Sequence, residues 1–174
     1  MLFHATLETP IGFLKIVNSE KGVRRIILPG ESDDLFSTEL KMIEDTRLLR
    51  LACDELTAYF EGRLKKFAVP IDLHSTPFRK RVLNEVYCIR YGETASYKEI
   101  AERIGNPKAV RAVGGANAHN PIPIIIPCHR VIGSDGSLKG FGRGATLLHL
   151  KRRLLDLEAG HAPAKPRPGK TPKP

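Results

Sequence analysis

The stretch Asn120–Val131 constrains this chain more than any other. There Pro121, Pro123 and Pro127 fence Ile122 and the run Ile124-Ile125-Ile126. Proline cannot donate to a sheet ladder, so this strongly apolar run cannot be a central strand. It ends on the pair Cys128-His129, and Pro127 fixes the backbone that enters Cys128. The thiol is therefore held in place.

A Cys-His pair is a candidate nucleophile and base. An unperturbed thiol is only a few per cent thiolate at neutral pH. Lowering its pKa from about 8.5 to about 7 takes about 2 kcal/mol of selective stabilisation, which an imidazole held by a carboxylate can supply. Adjacent side chains of extended backbone point opposite ways, so direct contact would require a bend. Adjacency alone also fits coincidence. The other cysteines, Cys53 and Cys88, flank apolar helical stripes and read as small core residues. Three widely spaced cysteines without CxxC spacing suit free thiols in a reducing compartment, and neither a disulfide framework nor a zinc knuckle.

Around this segment the chain divides in two. Residues 1–72 read as a small sheet with a helix. Phe3–Leu7 and Phe13–Val17 flank the turn Thr9–Gly12, and Val23–Leu28 follows Lys21-Gly22. From Ser37 to Gly62 the period becomes helical, with Leu48, Leu49, Ala52, Leu56, Tyr59 and Phe60 on one stripe and Gly62 as C-cap. Residues 68–77 form an extended connection. Residues 73–160 read as helical, beginning at Thr76-Pro77 and carrying Phe78, Val82, Val86 and Ile89 on one face. Ser96 and Glu99 have capping-box spacing ahead of a short helix that closes at Gly105. Asn106-Pro107 then caps and opens a helix reaching about Ala118. Two short helices joined by a tight glycine turn make a helix-turn-helix. The second is unusually small-sided: Ala109, Ala112, Gly114, Gly115, Ala116 and Ala118 accompany Lys108 and Arg111. That face suits close packing within the domain or a nucleic-acid groove. Residues 161–174, with five prolines, read as a disordered basic tail.

Charge follows the same division. The net charge of +9 is −2 over residues 1–75, +7 over residues 76–160 and +4 over the tail. A basic second half points to a polyanion partner for one domain only, or to a solubilising surface. No apolar run approaches the ~20 residues of a membrane span, and the N-terminus has no leader pattern. A cytoplasmic protein is expected, or a nuclear one in a eukaryote.

Pro127-Cys128-His129-Arg130-Val131, with Asn120-Pro121-Ile122-Pro123 before it, resembles the active-site signature of the O6-alkylguanine-DNA alkyltransferases. The similarity extends back through Asn106–Ala116 and Ser96-Tyr97. It runs forward through Gly140–Gly144 to Lys151, Leu154-Leu155 and Glu158. The resemblance implies an α+β chain: a ribonuclease-H-like N-terminal domain and a winged helix-turn-helix-like catalytic domain. It implies a single-turnover transfer of the alkyl group from O6-alkylguanine in DNA to Cys128, and leaves O4-alkylthymine open as a further substrate.

By that resemblance His129 is the base, acting through a water, and Glu158 orients it. Tyr97 protonates guanine N3, and Asn120 ties the recognition helix to the Cys128 loop. Pro123, Val131, Phe141 and Gly142 line the substrate pocket. Phe141 stands where tyrosine is more usual, Gly142 where serine is, and Ala145–Leu150 is about three residues longer than the family's pattern. Arg111 fills the space left by a flipped nucleotide, while Ser96, Lys108, Ala109, Ala112, Gly114, Gly115 and Arg130 join it at the DNA. Binding is expected through the minor groove with little sequence preference, by a monomer, without cofactor or metal. Rival readings are a non-enzymatic alkylated-DNA binder, which would lack the thiol, a thiol hydrolase, and a sequence-specific regulator.

Overall fold

The computed structural model describes residues 2–31, 47–139 and 147–160. Three antiparallel strands come first: β1 (Phe3–Thr9), β2 (Gly12–Ser19) and β3 (Gly22–Ile27), in the order β1-β2-β3. Thr9 closes the first turn by donating its hydroxyl to the Gly12 carbonyl. The connection after residue 68 extends the sheet beyond β3, where Val23 donates to Pro70 (2.8 Å) and Asp72 donates to Val23 (2.8 Å). A Cβ at Gly22 would sit 2.3 Å from the Pro70 oxygen, so only glycine permits this pairing. Helix α1 (Arg47–Phe60) covers the sheet with Leu49, Ala52, Leu56, Tyr59 and Phe60. The expected helical start at Ser37 lies outside the described residues. Two cysteine expectations need correction: Cys53 is only half-buried and Cys88 is exposed. Each lies beside its helix's apolar stripe, not in it, and neither is part of the sealed core.

The second half follows its capping signals. Thr76 accepts from the Arg79 amide and starts α2 (Pro77–Tyr87). Ser96 and Glu99 form a reciprocal capping box at α3 (Tyr97–Arg103), and Gly105 turns the chain with φ +74°. The next helix starts differently from expectation. Asn106 makes no side-chain cap; Pro107–Ala109 form a 3₁₀ turn that leads into α4 (Val110–Ala118). Proline without a cap favours this tighter first turn, because the missing N–H removes one orphan donor.

Two-residue strands β4 (Ala95–Ser96) and β5 (Val131–Ile132) pair in parallel, tying the start of α3 to the residues after Cys128. Helix α5 (Leu148–Glu158) closes the described chain, and the tail 161–174 lies outside it. The proline-fenced run is a sealed turn, as its composition demanded of a non-strand: Ile122, Ile124, Ile125 and Ile126 are all buried. Ile124 takes φ +75°, a conformation a β-branched residue adopts only when its surroundings enforce it. The core runs unbroken from the sheet into the helical half. Ile26 of β3 donates to the Pro121 carbonyl (2.9 Å), and Arg153 of α5 reaches the Pro10 carbonyl.

The capping box sets where α3 begins, and therefore where Tyr97 stands. Ser96→Ala is expected to lower folding stability by about 1 kcal/mol, read as a shifted urea midpoint at unchanged slope.

Candidate active site and nucleic-acid interface

The Cys128 turn is built by its own sequence. Cys128–Arg130 is a single 3₁₀ turn, so the bend between thiol and imidazole exists. Asn120 clamps the preceding loop from both sides, donating from Nδ2 to the Ile126 carbonyl (2.8 Å) and accepting from the Ile122 amide (3.0 Å). Asn117 of α4 donates to the Cys128 carbonyl (3.1 Å), linking that helix to the Cys128 backbone. Cys128 is almost wholly buried. Burial pushes its thiol up to about 11, against the pull of the Asn120 hydrogen bond and the Lys151 charge. The depressed thiol expected from the Cys-His pair is thus not the state of the free protein. Desolvation outweighs the charges here.

His129 faces the other way. Its Nε2 lies 2.7 Å from Glu158 Oε1, while its buried Nδ1 has no partner among the described residues. Burial holds the imidazole below its ordinary pKa despite the carboxylate beside it. Glu158 is saturated. Oε1 also accepts from Tyr59 Oη (2.7 Å) and Arg130 Nη2 (2.9 Å), and Oε2 accepts from Arg130 Nε (2.9 Å) and the Gly92 amide (3.2 Å). Burial alone would raise this carboxyl, but the His129 and Arg130 hydrogen bonds and charges hold it far below the usual carboxylate range.

Arg130 requires correction. Expected at the DNA, it is buried, with all three side-chain nitrogens engaged by Glu158 and by the Ile89 carbonyl (2.6 Å). A guanidinium matched to a buried carboxylate is not free to meet a phosphate.

Tyr97 and Lys151 form the opposite wall. Lys151 Nζ is sealed in and donates to the Val131 carbonyl (2.5 Å), the Lys139 carbonyl (2.7 Å) and Tyr97 Oη (3.3 Å). It has no carboxylate partner among the described residues, and burial lowers it to about 8. Burial, with the nearby Cys128 thiol, raises the Tyr97 phenol to about 12, so it stays protonated. A cleft of about 520 Å³ opens beside Tyr97, lined by Val110, Arg111, Gly114, Gly133–Asp135 and Lys139. Pro123 and Val131 lie buried below the surface; Phe141 and Gly142 fall outside the described residues.

The outer face of α4 presents Arg111, Ala112 and Gly115, with Lys108 just before them, all exposed; Ala109 and Gly114 are partly covered. A Cβ at Gly115 would meet nothing within 4 Å, so packing inside the domain does not require glycine there. Glycine inside a helix costs about 1 kcal/mol relative to alanine.

Sequence reasoning missed Tyr59, Asn117 and Lys151. Lys151 left a signal: with Glu158 it falls on the stripe of Leu147, Leu150 and Leu154, two charges on an apolar face. Tyr59 left none, being one aromatic residue on a core stripe.

Comparison with known proteins bears on both halves. Residues 2–73 match the family model described as 6-O-methylguanine DNA methyltransferase, ribonuclease-like domain. Residues 77–160 match the one described as its DNA binding domain. The chain is 43% identical to a methylated-DNA–protein-cysteine methyltransferase of Mycobacterium tuberculosis, over 94% of this chain and 96% of the relative. It is 40% identical to the constitutive enzyme of that name from Bacillus subtilis, over 91% and 96%. Its fold superposes on the crystal structure of Mycobacterium tuberculosis OGT in complex with DNA with a TM-score of 0.83, at 43% identity, over 94% and 96%.

Removing the carboxylate would strand a buried guanidinium. Glu158→Ala is expected to cost about 3–5 kcal/mol in urea unfolding at neutral pH. Because the folded carboxyl lies below its unfolded pKa, its contribution is complete above the ordinary carboxylate range and drains as pH falls through and below it. The gap between parent and variant should therefore narrow in acid.

Proposed function

The chain belongs to the 6-O-methylguanine DNA methyltransferase family, and from that premise we propose that Cys128 is the alkyl acceptor, His129 its base and Tyr97 the proton donor to the departing guanine. The protein repairs DNA by moving an alkyl group from the damaged base to one of its own cysteines. One observation carries the assignment of that cysteine. Of the three, Cys128 alone is buried, backbone-clamped and set beside an imidazole that a carboxylate holds.

A stacked base cannot reach a sealed sulfur, so the nucleotide must be everted, at a cost of a few kcal/mol that is smaller for a poorly pairing lesion. Arg111, exposed at the mouth of the cleft, is suited to fill the vacancy. The small face around Ala112 and Gly115 lets α4 lie close in the minor groove, with Lys108 on phosphate and little reading of sequence. Asn117 and Asn120 tie that helix to the acceptor loop, so docking of α4 orients the thiol.

In the transfer, Cys128 Sγ forms a bond to the alkyl carbon as the C–O6 bond breaks, and guanine keeps that electron pair. The thiol proton goes through a water to Nδ1 of His129, which has no partner among the described residues. Glu158 stabilises the resulting cation. Tyr97, protonated at neutral pH, supplies the proton that guanine needs at N3, and the proton that His129 took from the thiol then returns through solvent to the Tyr97 phenolate, so the net change is one proton moved from sulfur to guanine. The Lys151 charge favours the thiolate while its contact with Tyr97 Oη holds the phenol. The thioether is not hydrolysed, so each molecule acts once. Free cysteines suit a cytoplasmic setting, and no described helix is long and apolar enough to cross a membrane.

Mass spectrometry after mixing the protein with a duplex carrying O6-methylguanine should find one methyl group, on the Cys128 peptide, without turnover. An unmodified Cys128 after successful repair sinks the assignment. Cys128→Ala should bind the duplex and transfer nothing. Arg111→Ala should slow repair of duplex by tenfold or more, since a few kcal/mol of eversion lose their compensation, yet react normally with free O6-benzylguanine.

A further inference from the structure

The Glu158 carboxylate takes one of its hydrogen bonds from the other half of the molecule. Tyr59 lies on α1, in the domain that carries neither the thiol nor the DNA-facing helix. Its ring is wholly buried against Phe60, Phe67 and Tyr91, at centroid distances of 5.3, 5.5 and 6.0 Å. Phenylalanine would fill that space equally well. The hydroxyl has one use: it donates to Glu158 Oε1 at 2.7 Å, and its oxygen stands 3.5 Å from His129 Nε2. A buried hydroxyl is costly unless bonded, so this one answers to the Glu158–His129 pair.

We propose that Tyr59 is a positioning residue for alkyl transfer, holding Glu158 and the His129 ring so that the ring proton stays on Nε2 and Nδ1 remains the free base. The N-terminal domain is then part of the acceptor site. The inference rests on the reading of Cys128 and His129 given above.

Two features support it. Glu158 Oε1 and Tyr59 Oη both lie on the Nε2 side of the ring, so the Nε2–H tautomer has two acceptors there and the other tautomer none. Burial and the facing Glu158 charge raise Tyr59 well above the ordinary phenol range, so it remains a donor at every pH the protein meets. The groups facing the imidazole are few. Among the described residues, Glu158 and Lys151 come from α5, Arg130 from its own turn and Tyr59 from α1, with Tyr91 beyond Glu158. Of these, only Tyr59 shares the carboxylate without adding charge. Removing its hydroxyl leaves more of the Glu158 charge to His129, which then holds a proton more tightly.

The test is single-turnover transfer from an O6-methylguanine duplex, measured over a pH series with the full chain and with Tyr59→Phe. The variant should bind the duplex as the parent does. Its transfer rate at neutral pH should fall about tenfold, the loss of one charge-assisted hydrogen bond, and the acid limb of its rate profile should move to higher pH. Phe67→Leu, which loosens the same aromatic cluster but leaves the hydroxyl, should lose stability and keep the parent's acid limb. An unchanged rate, or a slower rate with an unmoved acid limb, overturns the proposal. Nitrogen-15 NMR of the unmodified parent gives a readout that needs no variant: neutral His129 should be the Nε2–H tautomer, and the Nδ1–H form would overturn it. A parent that leaves Cys128 unalkylated would instead bring down the reading of the site itself.

Discussion

The buried carboxylate of Glu158 is the interaction on which the rest of this structure depends. A charge taken out of water is tolerated only when its lone pairs are satisfied, and here five donors converge on two oxygens. Each comes from a different part of the chain or does a different task. Arg130 balances the charge, the Gly92 amide anchors the loop after α2, His129 is oriented by the contact, and Tyr59 brings in the N-terminal half. The last residue of α5 therefore gathers the fold around the acceptor turn. The same atoms that hold the architecture set the ring on which transfer depends, so stability and chemistry cannot be separated at this point.

The second constraint is the state of the sulfur. In the free protein burial wins over the Asn120 hydrogen bond and the Lys151 charge, and Cys128 remains a thiol. His129, also buried, remains neutral, and its Nδ1 has no partner among the described residues. The pair is thus one proton transfer away from thiolate and imidazolium, with Glu158 ready for the cation and Lys151 for the anion. Charges facing each other inside a dry site attract far more strongly than in water, so the pair can form together where neither ion would form alone.

Much of this was legible in the residues. Apolar strands bounded by turn residues, the change to helical period, the helix start at Thr76-Pro77, Ser96 as cap and the glycine turn at Gly105 all reflect local rules, and local rules are what a sequence displays. The proline fence correctly excluded a strand at Asn120–Pro127. Asn106 failed as a cap because Pro107 let the helix begin in a 3₁₀ turn. Arg130 was misassigned because a basic residue next to a reactive cysteine is the same letter whether it faces DNA or a buried carboxylate. That choice is settled by Glu158, 28 positions away in sequence. Tyr59 is farther still, 99 positions from Glu158, and its hydroxyl is silent until the two halves are joined. Lys151 could have been found, since a charge on an apolar stripe needs a buried use.

A sulfur kept protonated suits a protein that spends its acceptor once. Thiolates of low pKa are present in quantity but are weaker nucleophiles, and exposed ones are open to oxidation and to stray electrophiles. A sealed thiol of high pKa avoids both losses, because the ion appears only when a partner site is completed. α4 reaches the same atoms: Asn117 grips the Cys128 carbonyl, and Tyr97 beneath α4 shares Lys151 with the Val131 carbonyl. Under the proposed docking of α4 on DNA, recognition and ionisation would be linked through these contiguous hydrogen bonds. Gly115, where a Cβ would meet nothing within 4 Å, leaves that face open to such an approach at a cost in helix stability.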